Sequence, residues 1–177
     1  DNKVDYFGII FYEKSPRYIN LKLAIDLINY AKKYKIIPIG VFVNKKIDDL
    51  KKIINQTALT HIQLHGEEDD DYINSLKEDL NLKIIKSIGI NKKDDLKIIY
   101  NLKKPDFYLF DYKAKDNELP GGNAKSFEWE ILKEVKIEKP WFISGGININ
   151  NIRKINDNLV PYGIDISSGV EDKPGIK

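Results

Sequence analysis

Cysteine is absent from the 177 residues, which excludes disulfides and thiolate metal sites. Methionine is absent too, position 1 included, so the expectation is a chain that does not begin at a natural start. Histidine occurs only as His61 and His65, which leaves little for a metal cluster, and no metal is expected. Arginine is nearly missing: of 29 basic residues only Arg17 and Arg153 are not lysine. Amid so much lysine an arginine can mark a need for its planar fork, although chance retention explains any single one at least as well. No apolar run exceeds the eight residues of 36–43, far below the ~18 that span a bilayer, so no membrane partner is expected. No charged-then-apolar leader opens the chain, and a cytoplasmic location is expected. No linker, low-complexity stretch or basic tail appears. The 29 basic residues are balanced by 27 acidic ones and interleaved with them, which argues against a nucleic-acid partner.

What remains is 42% hydrophobic and 32% charged, the composition of a folded globular chain, expected to form one domain over residues 1–177. Short β-branched or aromatic runs alternate with stretches of helical period. The expected strands are 6–12, 37–43, 61–65, 84–88, 107–111, 141–144 and 164–167. The expected helices are 21–34, 47–56, 69–78, 94–100, 127–136 and 149–157. In the first helix Leu23, Leu27 and Tyr30 recur at steps of four and three. In the second, Ile47, Leu50, Ile53 and Ile54 form one face, with Asp48 and Asp49 in the first turn, where the helix dipole favours acids.

Strand–helix alternation at this spacing points to a parallel α/β fold, either a doubly wound sheet or a (β/α)8 barrel. The strands favour the barrel. Those of a doubly wound sheet are apolar on both faces. Here His61, Gln63 and His65 share one face of a strand while Ile62 and Leu64 share the other. In the last strand Ile164 and Ile166 oppose Asp165 and Ser167. A barrel with a polar mouth at the C-terminal ends of its strands explains that alternation.

The glycine loops come late in the chain. Gly145-Gly146 follows one strand, and Ser167-Ser168-Gly169 follows the last. Glycine lets backbone amides approach an anion and serine adds donors, so the pair reads as a phosphate pocket; an ordinary turn is the alternative for Gly-Gly alone. Asp111 ends an otherwise apolar strand, where a carboxyl reads as a catalytic acid, or else as a helix cap or a partner of Lys113. Asp165 and His65 hold similar strand-end positions, His65 being also readable as a hydrogen-bonded core histidine. His61, at the start of its strand, reads as structural. Arg17, in Ser15-Pro16-Arg17-Tyr18 after the first strand, reads as a carboxylate clamp or a surface ion pair. Gly121-Gly122-Asn123-Ala124-Lys125 lies on the long loop after Asp111 and reads as a lid or a plain surface loop.

Taken in order, several stretches resemble the phosphoribosylanthranilate isomerase family of tryptophan biosynthesis. They are Asp5-Tyr6-Phe7-Gly8, Ser15-Pro16-Arg17-Tyr18, Gly40-Val41-Phe42-Val43-Asn44, Gln63-Leu64-His65-Gly66, Phe110-Asp111, Gly121-Gly122, Ser144-Gly145-Gly146-Ile147 and Tyr162-Gly163-Ile164-Asp165-Ile166-Ser167-Ser168-Gly169-Val170-Glu171. The resemblance implies a TIM barrel and a cofactor-free Amadori rearrangement of a small phosphosugar, the aminoaldose N-(5-phosphoribosyl)anthranilate, to an aminoketose. It implies Asp111 as general acid and Arg17 on the anthranilate carboxylate. Gly145, Gly146, Ser167, Ser168 and Gly169 fall on the phosphate loops, and His65 and Asp165 around the reacting sugar.

The chain departs from the family at both ends and in its glycine-lysine loop, where Asn123-Ala124 stands in place of the usual small hydroxyl residue and glycine. The family's base is a cysteine at the end of its first strand, in a βα unit that this sequence lacks, and the chain stops where the last helix should begin. The expectation is therefore a barrel incomplete at both ends, with impaired turnover. The rival reading is a non-catalytic phosphosugar-binding barrel, or a piece of a bifunctional chain fused to or associated with another tryptophan-pathway enzyme.

Overall fold

The structure, a computed structural model, describes residues 4–115, 118–119, 121–122 and 124–176. Contacts divide the chain into two compact units, residues 1–85 and 86–177. The first holds β1 (Tyr6–Ile10), α1 (Leu21–Lys33), β2 (Ile37–Phe42), α2 (Ile47–Thr57), β3 (His61–Leu64), α3 (Asp70–Asp79) and the start of β4 (Lys83–Ile90). In the second, β4 continues into a 3-10 helix (Lys93–Tyr100), β5 (Phe107–Tyr112), a 3-10 helix (Trp129–Glu134), β6 (Trp141–Ile143), α4 (Arg153–Asn158), β7 (Gly163–Ile164) and a short turn (Ser168–Val170).

In the first unit β1 pairs β2 and β2 pairs β3; in the second β5 pairs β6 and β6 pairs β7, every pair parallel. Sheet order repeats chain order within each unit. A doubly wound sheet needs a reversal of strand order, and neither unit contains one. Each unit packs its own core between strands and helices. Ile9, Phe42, Ile62 and Leu64 meet Ile28, Leu50 and Ile73 in the first. Ile90, Phe110 and Ile143 meet Leu96, Leu132 and Ile155 in the second. Each such apolar side chain stabilises its unit by about 1.5–3 kcal/mol when fully buried.

Two sequence expectations are corrected. The buried stripe of α1 is Ala24, Ile28 and Ala31, while Leu23 and Tyr30 are exposed. The alanines let this face of the helix approach the sheet closely, and the larger side chains are left outside. In α2 the expected face holds: Leu50 and Ile54 are buried with Ile47 and Ile53 packed beside them. The second correction concerns the expected helices around 94–100 and 127–136, which are 3-10 helices. Their buried residues recur at steps of three, Leu96 to Ile99 and Trp129 to Leu132, which is the 3-10 period of three residues per turn. No helix among the described residues is long and apolar enough to cross a membrane.

Candidate active site

Asp111 sits near the C-terminal end of β5 and is 4% exposed. Its Oδ1 accepts a bond from the backbone N–H of Tyr112 at 2.7 Å. The ammonium of Lys113, considered from sequence as its partner, reaches Asp95 instead at 2.9 Å.

The loop after β6 closes on this carboxylate. Gly145 and Gly146 hold φ of +90° and +63°, which L side chains rarely adopt. A Cβ on Gly145 would lie 3.1 Å from the Tyr112 nitrogen and 3.3 Å from Asp111 Oδ1. The loop is braced by two asparagines that sequence reasoning missed. Asn148 Nδ2 and Asn151 Nδ2 both donate to the Gly146 carbonyl, at 3.0 and 2.9 Å. Asn151 Oδ1 also accepts from the Asn148 backbone at 2.8 Å. The run Asn148-Ile149-Asn150-Asn151, one residue past Gly-Gly, was the available signal, since asparagine side chains bond to nearby backbone.

The second glycine loop touches the first. A Cβ on Gly169 would run into the Ile147 carbonyl oxygen, so backbone meets backbone there. Asp165 is half-buried, and its N–H bonds the Ile143 carbonyl at 2.8 Å, carrying the β6–β7 pairing one residue past β7. The last strand is thus shorter than the expected 164–167, because Ser167 turns the backbone into the 3-10 turn Ser168–Val170. Ile164 and Ile166 still pack on the core as expected. The structure thus brings Asp111, Gly145, Gly146 and the Ser167–Gly169 turn together within the second unit. Of the expected lid, Asn123 lies outside the described residues. Gly121 and Gly122 both have positive φ, and Lys125 pairs with Glu118 and lies 5.8 Å over the Tyr112 ring.

Two expected site residues belong to the first unit. Arg17 is half-buried in the loop after β1, its backbone N–H on Ser15 Oγ at 3.2 Å. His65 directly follows β3 and is half-buried. Its Nδ1 lies 2.8 Å from Gln63 Nε2, so an amide donor there leaves the proton of a neutral ring on Nε2. His61 bonds its neighbour Thr60 at 2.9 Å.

Parallel strands in chain order and a buried carboxylate at a strand end beside two touching glycine loops define a class, an α/β barrel enzyme with its polar groups at the strand ends. The model of the N-(5'phosphoribosyl)anthranilate (PRA) isomerase family matches residues 1–177. The chain belongs to that family. An N-(5'-phosphoribosyl)anthranilate isomerase of Rhizobium etli is 39% identical over 175 residues, 97% of this chain and 78% of its own length. One from a Thermoanaerobacter species is 40% identical over 169 residues, covering 96% and 79%. The crystal structure of the Thermotoga maritima enzyme aligns at TM-score 0.83 and 29% identity, covering 98% of this chain and 82% of that one. A family enzyme in complex with reduced 1-(o-carboxyphenylamino)-1-deoxyribulose 5-phosphate aligns at TM-score 0.82. The fold is an incomplete (β/α)8 barrel.

Proposed function

We propose that the chain carries the acid and phosphate-holding machinery of an Amadori isomerase acting on N-(5-phosphoribosyl)anthranilate in tryptophan biosynthesis, in the cytoplasm. The observation that carries this reading is the buried Asp111 carboxyl within contact of the Gly145–Gly146 loop, which in turn meets the Gly169 turn. The substrate's phosphate takes backbone N–H groups of Gly145, Gly146, Ser168 and Gly169 and the hydroxyls of Ser167 and Ser168. Asp111 protonates the furanose oxygen. The ring opens to a Schiff base, the proton on carbon 2 is removed, and the resulting enol becomes the ketone. No cofactor is consumed, because only protons move. Arg17 on the anthranilate carboxylate, and His65 and Asp165 near the sugar, rest on the family correspondence.

The family's base is a cysteine, and none of the 177 residues is one. Slow turnover is therefore expected of this chain by itself, and that same fact supports the second reading, a barrel that binds phosphosugar without turning it over. Calorimetric titration with the reduced aminoketose analogue, with inorganic phosphate as competitor, tests the site. Tight binding relieved by phosphate supports it, and no binding by a folded chain overturns it. Chromatographic assay of aminoketose formation then separates slow isomerase from binder.

A further inference from the structure

Only two carboxylates among the described residues are buried, Asp111 and Glu68. Asp111 has a role in the proposed chemistry. Glu68 has none, yet it is only 5% exposed, and a buried charge is costly unless strong hydrogen bonds compensate it. It has such bonds, and they join two strand-end loops. Glu68 Oε1 accepts from the backbone N–H of Asn44, after β2, at 2.7 Å. Its Oε2 accepts from the N–H of Gly66, after β3, at 2.9 Å. Bonds from N–H groups to an ionised acceptor are about twice as strong as neutral ones.

The two loops interlock around this carboxylate. Asn44 turns with φ +47° and accepts from the Glu67 N–H at 2.7 Å through its own Oδ1. Gly66 has no room for a side chain, since a Cβ would strike Asn44 Oδ1 and lie 2.9 Å from the Asn44 nitrogen. Tyr72 closes the other side by donating its hydroxyl to the Lys45 carbonyl at 2.6 Å. Burial, and then the charge of Glu68, push the Tyr72 phenol up to about 12, so it keeps its proton and stays a donor.

His65 lies directly before Gly66. Its own N–H is fixed on the Phe42 carbonyl at 2.8 Å, and the next N–H is fixed on Glu68. The peptide units on both sides of the His65 Cα are thereby held. With Gln63 on Nδ1, the ring's direction follows.

We infer that Glu68 is a positioning residue for His65: its buried carboxylate pins the β2 and β3 loops so that the imidazole holds the one orientation in which the proposed function uses it. The inference rests on the proposed function for the identity of the sugar, but not for the coupling itself. A mere brace would tolerate any change that keeps the fold. A positioning carboxylate needs both oxygens as acceptors, because the staple has a donor at each end.

Glu68→Gln replaces one acceptor by an amide NH2 that faces an N–H, with almost no change of shape. His61 and His65 are the chain's two histidines, at opposite ends of the same strand, so His61 serves as an internal control in proton–nitrogen NMR of the rings. The expected result is a moved or doubled His65 ring signal with His61 unchanged. In the chain joined to a segment supplying the family's cysteine base, kcat should fall about tenfold to a hundredfold at nearly unchanged KM, the scale of a small misplacement of a reacting group. Glu68→Asp, which keeps the charge but is one methylene short, should fall between wild type and Glu68→Gln; if the glutamine variant does not fold, Glu68→Asp carries the same His65 readout. An unmoved His65 signal in a folded variant overturns the inference, as does a shift of His61 and His65 alike. Failure of the function reading looks different: no turnover by any form, while the His65 signal still responds to Glu68.

Discussion

The two units solve the problem of holding strand-end loops in related ways and put the result to different use. Each has a carboxylate from the start of the next helical segment reaching back over the loops. In the first unit this is Glu68, which accepts from two backbone N–H groups. In the second it is Asp95, whose Oδ2 accepts from the N–H groups of Asn91 and Lys92 at 3.0 Å each, and whose Oδ1 takes the Lys113 ammonium. The surrounding helices differ. The first unit has α-helices of 13, 11 and 10 residues; the second has 3-10 helices of 8 and 6 residues and an α-helix of 6. Left-handed backbone is distributed accordingly. In the first unit it falls on Lys35, Asn44 and Ala58, side-chain-bearing residues at turns. In the second it falls mainly on glycines, Gly121, Gly122, Gly145, Gly146 and Gly175. The first unit is built for regular packing, whereas the second gives residues over to loops whose bare backbone can approach a ligand.

If that division is right, the most damaging single change to activity belongs to the second unit and costs little stability. Asp111→Asn should lower turnover by about a thousandfold, within the ~10²–10⁴ that a general acid supplies, while the melting temperature stays close to wild type. Turnover within tenfold of wild type would remove Asp111 from the chemistry. Gly169→Ala comes next. Its methyl would enter the Ile147 carbonyl, so one of the two glycine loops must shift, at a cost of about 1–3 kcal/mol. The affinity for the reduced product analogue should fall about tenfold or more, and calorimetry reads it directly. Unchanged affinity would mean that the two loops do not act as one pocket.

The staples can be compared by the same kind of pair. Glu68→Gln should cost about 3 kcal/mol in a denaturant melt, since hydrogen bonds to a buried charge are worth ~1.5–3 kcal/mol each. Asp95→Asn should cost nearer ~1 kcal/mol, because its ammonium partner is about half exposed. Asp95 also predicts a pH dependence. Burial works to raise its pKa, but the bonds from Lys113, Asn91 and Lys92 outweigh it and hold the carboxyl below its ordinary value. A group depressed in the folded state contributes stability above its unfolded pKa, near ~3.9, and loses it as pH falls through the lower folded value. The stability gap between wild type and Asp95→Asn should therefore narrow below about pH 4. A gap that stays constant down to pH 3 would show that the charge of Asp95 does not matter.

The same contrast explains what could be read from the sequence. The strands and the alternation of His61, Gln63 and His65 with Ile62 and Leu64 were legible, because a strand with one apolar and one polar face has few other interpretations. Asp111 and the late glycines were legible because their residue types are unusual at strand ends. The 3-10 helices were not: apolar residues three apart, such as Leu96 and Ile99, fit an α-helix as well, and only burial separates the periods. In α1 two apolar stripes competed, and small alanines outpacked the larger leucine and tyrosine that the pattern favoured. The braces went unseen for another reason. Glu68, Asn148 and Asn151 are polar residues in polar loops, and their importance lies in partners that only folding supplies.

The smallest effect tests whether the first unit's left-handed residues are ordinary turns. Ala58 ends α2 with φ 52° and ψ 37°, its N–H on the Ile54 carbonyl at 2.8 Å. A Cβ in that conformation costs roughly 1–2 kcal/mol, and glycine is the usual residue there. Ala58→Gly removes the strain but adds about 0.4–1 kcal/mol of unfolded-state freedom to be lost on folding. The expected net is a stabilisation of about 0.5 kcal/mol, a rise of roughly 2 °C in a thermal melt. Gly146→Ala, the opposite exchange in the second unit, should destabilise, because its Cβ would come within 2.9 Å of the Lys125 backbone carbon. Opposite signs would confirm that left-handed backbone alone sets the cost of the methyl at Ala58, whereas close approach to Lys125 adds to it at Gly146. A stabilising Gly146→Ala would place its loop too far from Lys125 for the packing described, and the contrast between the units would then rest on the helices alone.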